Sequence, residues 1–316
     1  MTIKQETYRL SLVIPVYNEQ ESLSELINTL KRELSKLREY HPYEIIFIND
    51  GSNDQTLQKL KSIKDPLIKI VSFRRNLGKA TALNIGFERA TGEIIATMDG
   101  DLQDGPENLL PLLSKLNDGF DLVIGWKKKR HDSLLGKNIP SKAFNFLVRL
   151  ISQTPLHDFN SGLKVMKKKV AREIFLYGEL HRFIPVLAYQ RGFKVAEIPV
   201  IHHSRKYGKS KYGNLSRGLR GAFDFLTVMF LHSFGERPLH LFGFLGGIGI
   251  LLGMIFAIYL SILRFQGETI GNRPLLILAI LLLITGLQML LSGLIAEMLV
   301  NQRSFSDRNF PIDYES

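Results

Sequence analysis

The sequence predicts an α/β domain on a mostly parallel sheet with helices on both faces, followed by interfacial helices and a two-helix transmembrane hairpin. Three observations predict it. Short apolar runs alternate with helically spaced apolar residues through the first half. Polar clusters follow the apolar runs, and two long stretches without charge occupy the last quarter.

The elements follow in order. Leu10 to Pro15 is a short apolar run of buried-strand type, after which Leu23, Leu26, Ile27, Leu30, Leu34 and Leu37 recur at helical spacing. Glu44 to Ile48 predicts a second strand and Ile68 to Phe73 a third, with a helix over Asn53 to Ile63 between them. Gly78 to Ala90 reads as a helix and Glu93 to Met98 as a fourth strand. Pro106 suits the first turn of the next helix, and Asp121 to Gly125 makes a fifth strand. Alternating units of this length build a parallel sheet covered on both faces. Its ligands bind beyond the carboxyl ends of the strands, where the polar clusters fall.

Leu239 to Leu263 is a run of 25 residues without Lys, Arg, Asp or Glu, and Pro274 to Ala296 is a run of 23. Each exceeds the ~20 residues that span a bilayer; two buried core helices are the alternative, and soluble core helices rarely run so long without charge. The segment before the first span is basic, so positive-inside bias puts both termini in the cytosol. Gly243 with Gly247, and Gly249 with Gly253, have the small-xxx-small spacing of close helix pairs, compatible with homo-oligomers formed through these helices. Asn214 to Phe234 carries Arg217 and Arg220 beside Leu226, Val228, Met229, Phe230 and Leu231, and reads as an interfacial amphipathic helix or helix pair, with an ordinary domain helix as the alternative. The boundaries are a cytosolic domain over 1–212, interfacial helices over 213–236, a hairpin over 237–300 with spans at 239–263 and 274–296, and a cytosolic tail over 301–316.

The chain has 316 residues, a formal net charge of +11 and no cysteine. The charge calls for an anionic partner; the missing thiols exclude disulfides, thiolate metal sites and a cysteine nucleophile. No secretory signal is seen, since the first apolar run is short and ends at Pro15-Val16-Tyr17-Asn18-Glu19. A nucleic-acid binder would suit the charge and fails on the hairpin and on the lack of a recognised motif.

The central chemical signal is Asp99-Gly100-Asp101-Leu102-Gln103, directly after the fourth strand. Two carboxylates two residues apart, with an amide oxygen beside them, suit a hard divalent cation, Mg²⁺ or Mn²⁺, that keeps water and phosphate ligands. Such a cation neutralises a leaving diphosphate. Other strand ends carry Asn49-Asp50-Gly51-Ser52-Asn53-Asp54 and Arg74-Arg75-Asn76-Leu77-Gly78-Lys79. Neither a dinucleotide fingerprint nor a Walker lysine loop is present.

Together these blocks resemble family 2 glycosyltransferases of the GT-A fold, and more narrowly the dolichyl- and polyprenyl-phosphate glycosyltransferases. The resemblance runs from about Leu10 to Lys211, and the two-span tail matches one bacterial branch. It implies that Pro15, Tyr17 and Glu19 line a nucleotide pocket, that Asp50 accepts a hydrogen bond from the base, and that Lys79 lies near it. Asp99 would touch ribose and diphosphate, while Asp101 and Gln103 complete the metal site; Gly100 stands where relatives often have Ala. Asp158, in His157-Asp158-Phe159-Asn160-Ser161-Gly162, corresponds to the acidic loop near the acceptor. Lys127, Ser141 and Lys142 sit where relatives bind the lipid phosphate. Arg205-Lys206-Tyr207-Gly208-Lys209-Ser210-Lys211 matches the family's Arg-x-x-Gly-x-Ser-Lys block, with Arg205 and Lys211 toward the donor diphosphate. His202 to Phe223 holds six Lys or Arg and no acid, so the strip also suits an anionic membrane surface.

The resemblance implies inverting transfer of a hexose from a nucleotide-sugar, UDP-glucose by analogy with the two-span branch, to undecaprenyl or dolichyl phosphate at the cytoplasmic membrane face. Asp101, Asp158 and Arg205 would be the catalytic residues. The alternatives are a GDP-mannose-dependent mannosyltransferase, a processive polysaccharide synthase and a membrane-tethered nucleotide-sugar binding protein. The synthase reading lacks the Gln-x-x-Arg-Trp block, because the single tryptophan, Trp126, precedes that region. His202 and His203, adjacent on a strand, point to opposite faces and receive no role; His181 opens a helix and reads as structural.

Overall fold

The structure, a computed structural model, describes residues 9–128, 149, 154, 156–178, 180–204, 206, 230, 234, 237–271 and 273–306, the last six as backbone alone. It divides into two compact units, Met1–Val228 and Met229–Ser316.

The first unit is built on β1 (Leu10–Val16), β2 (Tyr43–Asn49), β3 (Ile68–Ser72), β4 (Ile94–Thr97), β5 (Leu122–Trp126), β6 (Lys164–Lys167) and β7 (Val195–Pro199). They form one sheet in the order β3-β2-β1-β4-β6-β5-β7. The five expected strands are present and parallel neighbours pair as anticipated, with β1 between β2 and β4. Two strands were not anticipated. β6 runs antiparallel between β4 and β5, and β7 lies parallel to β5 at the edge. A four-residue strand flanked by lysines is too short to show a period, so β6 leaves no apolar signature.

Side chains alternate across the sheet. Leu10, Leu12, Ile14 and Val16 of β1 pack with α1 (Leu23–Leu34), Leu60 of α2 (Thr56–Lys61) and α4 (Leu109–Asn117). Val13 faces the opposite core, shared with α3 (Lys79–Arg89), α5 (Lys168–Glu173) and α6 (Ile184–Gln190). Helix α2 starts later than its sequence suggests because the Asp54 carboxylate accepts the Thr56 N–H at 2.9 Å, making residues 53–55 a turn.

At the amino-terminal edge of the sheet, Glu44 is fully buried. It accepts hydrogen bonds from Ser11 and Thr91 and pairs with Lys69 at 2.5 Å. Burial opposes its charge, but Lys69, Ser11 and Thr91 together hold its carboxyl below the usual glutamate value. Lys69→Met is therefore expected to cost about 1–3 kcal/mol at pH 7, the penalty of a buried acceptor losing its partner. A carboxyl held low contributes stability above its unfolded pKa and loses it as pH falls through the folded one. Thermal melts of the two proteins should differ at neutral pH and converge in acid; an equal gap at both would refute the pairing.

The second unit is an antiparallel hairpin of α7 (Pro238–Phe265) and α8 (Pro274–Ser306). Both are long and apolar enough to cross a membrane, and only 11% of the apolar window of each is buried. A Cβ on Gly246 would lie 2.6 Å from the Gly286 carbonyl oxygen, so the backbones touch where neither residue has a side chain. Of the two expected glycine pairs, Gly249 and Gly253 face α8, whereas Gly247 meets open space. The Glu297 carboxylate accepts the Leu239 N–H at 3.2 Å, satisfying an orphan donor at the start of α7. Apart from Phe230 and Phe234, which are helical, the interfacial segment 213–229 and most of its continuation to 236 lie outside the described residues, as does the tail beyond 306.

Candidate active site

The polar loops at the carboxyl ends of β1, β2 and β3 are tied to one another. After β1, the Asn18 and Glu19 N–H groups donate to Ser52 Oγ and Thr56 Oγ1, each at 2.9 Å. Ser22 Oγ donates to Glu19 Oε2 at 3.1 Å and to the Gly100 carbonyl at 3.0 Å, joining the first loop to the Asp99–Gln103 bend. Pro15, Tyr17 and Glu19 line this region as half-buried residues, while Gly100 is buried.

Asp50 closes β2. Its two oxygens accept the N–H groups of Leu77 at 2.7 Å and Gly78 at 3.0 Å, fastening the loop that leads into α3. Burial pushes its carboxyl up, and the two amides partly offset this. A carboxylate has about four lone-pair sites, so these two bonds leave capacity for a ligand.

Lys79, at the start of α3, lies 2.5 Å from Asp99 Oδ1; both side chains are one-third exposed. Burial works against the Asp99 charge, but Lys79, with Lys127 and Lys164 beyond it, holds the carboxyl well below the usual range. On the other side, a Cβ on Gly162 would lie 2.5 Å from the Asp99 carboxyl carbon, so only glycine allows this approach. Thr97 Oγ1 anchors that turn by donating to the Gly162 carbonyl at 2.9 Å.

Lys164 completes the centre. It is 4% exposed, and its Nζ donates to the Ser161 carbonyl. Burial and the Lys79 charge pull its pKa down to about 7 against the attraction of Asp99 and Asp158. His181, in the short 3₁₀ turn Leu180–Phe183, is also buried; desolvation, with Lys79, Arg182 and Lys164, holds it well below the ordinary imidazole value and keeps it neutral.

Leu102 adopts a positive φ of 60°, and the Gln103 N–H donates to Asp101 Oδ1 at 3.2 Å, so residues 99–103 form a bend with both acids on it. Among the described residues no cluster of three or more His, Asp or Glu side chains could hold an ion unaided, and Asp99 already pairs with Lys79. The oxygen donors therefore fit a cation such as Mg²⁺, which takes one or two carboxylates and draws its remaining ligands from diphosphate and water.

The loop that carries His157 and Asp158 is held by β7. Glu197 accepts the N–H groups of His157 at 2.7 Å and Asp158 at 3.4 Å and contacts the His157 ring, which stacks on Trp126 with centroids 4.6 Å apart. Asp158 is 1% exposed and accepts the Asn160 N–H at 3.1 Å. Lys127, following β5, pairs with Asp104 at 3.0 Å. Burial opposes the Lys127 charge, but Asp104 and Asp99 raise its pKa and keep it protonated.

The structure thus joins Lys79 to Asp99, and Lys164 is attracted by both Asp99 and Asp158. Ser141, Lys142, Arg205 and Lys211 lie outside the described residues. Lys164 and Asp104 were not singled out from the sequence. Along β6, Leu163 and Val165 point to one core and Met166 to the other, so a two-residue period places Lys164 on an apolar face. Nor does the histidine pair continue a strand: β7 ends at Pro199, and His202 forms an isolated bridge with Asp104.

A parallel-rich sheet with acids at the end of its fourth strand is common to several enzyme classes, and comparison with known proteins decides among them. The Glycosyl transferase family 2 domain matches residues 11–175. The chain belongs to that family. As a family 2 glycosyltransferase it is 38% identical over 303 residues to a dodecaprenyl-phosphate galacturonate synthase of Rhizobium johnstonii, covering 93% of this chain and 88% of the relative. It is 33% identical over 303 residues to an undecaprenyl-phosphate 4-deoxy-4-formamido-L-arabinose transferase of Pseudomonas aeruginosa, covering 94% and 86%. Among solved structures, the glycosyltransferase fold matches glucosyl-3-phosphoglycerate synthase from Mycobacterium tuberculosis, crystallised with Mn²⁺, UDP and phosphoglyceric acid. The TM-score is 0.55 at 18% identity, covering 70% of this chain and 78% of that one. The GT-A-type expectation for the fold agrees with this likeness.

Proposed function

We propose that this glycosyltransferase moves a sugar from a nucleoside-diphosphate donor to the phosphate of a membrane polyprenol. The observation that carries the reading is the meeting of Asp99, Lys79, Lys164 and Asp158 in a family 2 sheet whose chain ends in a hairpin of bilayer-spanning length. Relatives named for polyprenyl phosphates, aligned over nearly the whole chain, support the acceptor class.

Asp50, with Pro15, Tyr17 and Glu19, holds the nucleotide, and Asp99 with Lys79 meets its ribose and diphosphate. Asp101, Gln103 and Asp99 hold a divalent cation, which, when bound, neutralises the leaving diphosphate. Arg205 and Lys211 serve the donor diphosphate, and Lys127, Ser141 and Lys142 receive the acceptor phosphate. A phosphate monoester has a second pKa near ~6, so at neutral pH the acceptor oxygen attacks without a base. Asp158 therefore positions the acceptor loop. Placing two anions in line is the hard task, and the lysines around Asp99 serve it. The basic segment before the spans supports a cytoplasmic face for the catalytic unit.

For the sugar, the relatives named above carry a uronic acid or a formamido sugar, so a UDP-hexuronate takes precedence over the UDP-glucose that the two-span tail suggests. The test is a donor panel of UDP-hexuronates, UDP-hexoses and GDP-mannose with undecaprenyl phosphate and full-length protein in detergent, read by mass spectrometry of the lipid. A hexuronosyl lipid phosphate is expected; product from UDP-glucose alone would restore glucose, and no product from any donor would refute the reaction.

A further inference from the structure

Asp104 has no place in the scheme above, yet it is 1% exposed. One oxygen meets His202 Nδ1 at 2.9 Å and the other Lys127 Nζ at 3.0 Å. Around this carboxylate the chain just before the Arg205–Lys211 block is zipped to the chain just after the Asp99–Gln103 bend. The His203 N–H donates to the Gln103 carbonyl at 2.8 Å. Asn108 donates to the Ile201 carbonyl and accepts the Ile201 N–H, both at 3.0 Å. The His203 ring reaches Glu107 at 2.7 Å.

We propose that Asp104 is a positioning residue: gripped by Lys127 and His202, it locks the donor-side bend, the Lys127 ammonium and the root of the basic block into one unit. The proposal rests on the functional reading above and deepens it. Three segments far apart in sequence, ending β5, following β4 and following β7, each contribute one group to the clamp. A buried carboxylate with an ammonium on one oxygen and an imidazole on the other cannot shift without breaking both contacts in a dry site, and that makes the clamp stiff. A clamp of this kind sets where Asp101 and Gln103 present oxygens, and where Lys127 aims the N–H groups that Asp104 does not use.

The position of the single tryptophan supplies the readout. Trp126 precedes Lys127 and stacks on His157, so its emission reports on the clamp. Full-length protein in detergent is titrated with Mn²⁺ in the presence of pyrophosphate, and turnover is followed separately. Wild type is expected to show a saturable change in emission. In Asp104→Asn, which keeps the shape and loses the charge, apparent Mn²⁺ affinity should fall about 10- to 100-fold, the usual effect of removing a group that orients a metal ligand, with cooperative thermal unfolding retained. His202→Gln should shift it in the same direction, and it decides the matter if Asp104→Asn does not fold. Wild-type affinity and turnover in the folded variant would overturn the clamp and leave the functional reading intact. A wild type that gives no response to Mn²⁺ with pyrophosphate would overturn both.

Discussion

Asp101→Ala is expected to reduce sugar transfer roughly 10²- to 10³-fold, the loss typical of removing one group that stabilises developing charge in a water-poor site. The effect belongs to the leaving group. Asp99 pairs with Lys79 at 2.5 Å, and Asp101 is the second acid on the same bend, where it would recruit a cation to the diphosphate. The fold should be untouched, because Asp101 is partly exposed and its Oδ1 bond to the Gln103 N–H is local. The measurement is transfer to undecaprenyl phosphate from whichever donor the panel identifies, with and without chelator, beside a thermal melt. Wild type should stop in chelator and recover with Mg²⁺ or Mn²⁺. Full activity of the variant in excess chelator would remove the cation from the mechanism.

Lys164→Met should cost a comparable factor, on the order of 10²-fold, for a different reason. The ammonium is attracted by both the part-exposed Asp99 and the buried Asp158, so its removal leaves both carboxylates without that attraction where, on the proposed mechanism, two more anions must arrive. Its pKa of about 7 makes the charge conditional in the free enzyme. The pH dependence of kcat/KM reports free-enzyme groups. If the charged form is the competent one, kcat/KM declines as pH rises above 7. Arginine stays charged throughout, so Lys164→Arg should flatten that alkaline limb even where its bulk lowers the rate. A Lys164→Arg profile that keeps the same limb would show that another group titrates there.

The strands β1 to β5 were legible because each is a run of apolar residues bounded by polar turns, and α1 because Leu23, Leu26, Leu30 and Leu34 mark one face, all buried as that spacing requires. The hairpin was legible from length and missing charge alone. What escaped had short-range sequence signals overridden by contacts distant in the chain. β6 is four residues long, and its register against β4, Thr97 opposite Lys164, is set by sheet pairing across 67 residues of sequence. Asp104 reads locally as one more acid in a turn, and only the return of His202 from 98 residues away makes it the centre of an ion cluster. The candidate site was legible where a motif is continuous, as at Asp99-Gly100-Asp101, and illegible where its parts converge through the fold.

The bond between Glu297 and the Leu239 amide bears on how the hairpin enters a membrane. The first turn of α7 carries an N–H donor that apolar surroundings cannot satisfy, and its acceptor arrives only with the far end of α8. In hydrocarbon, each unmade backbone bond costs several kcal/mol and so does a lone carboxylate. The first span on its own therefore leaves that donor unmatched at its amino-terminal end, and the second leaves Glu297 unmatched near its carboxyl-terminal end. Biogenesis of this protein should proceed by paired insertion, with the two helices leaving the translocation machinery together, so that a chain truncated after Phe265 is retained there or degraded instead of resting in the bilayer as a single anchor.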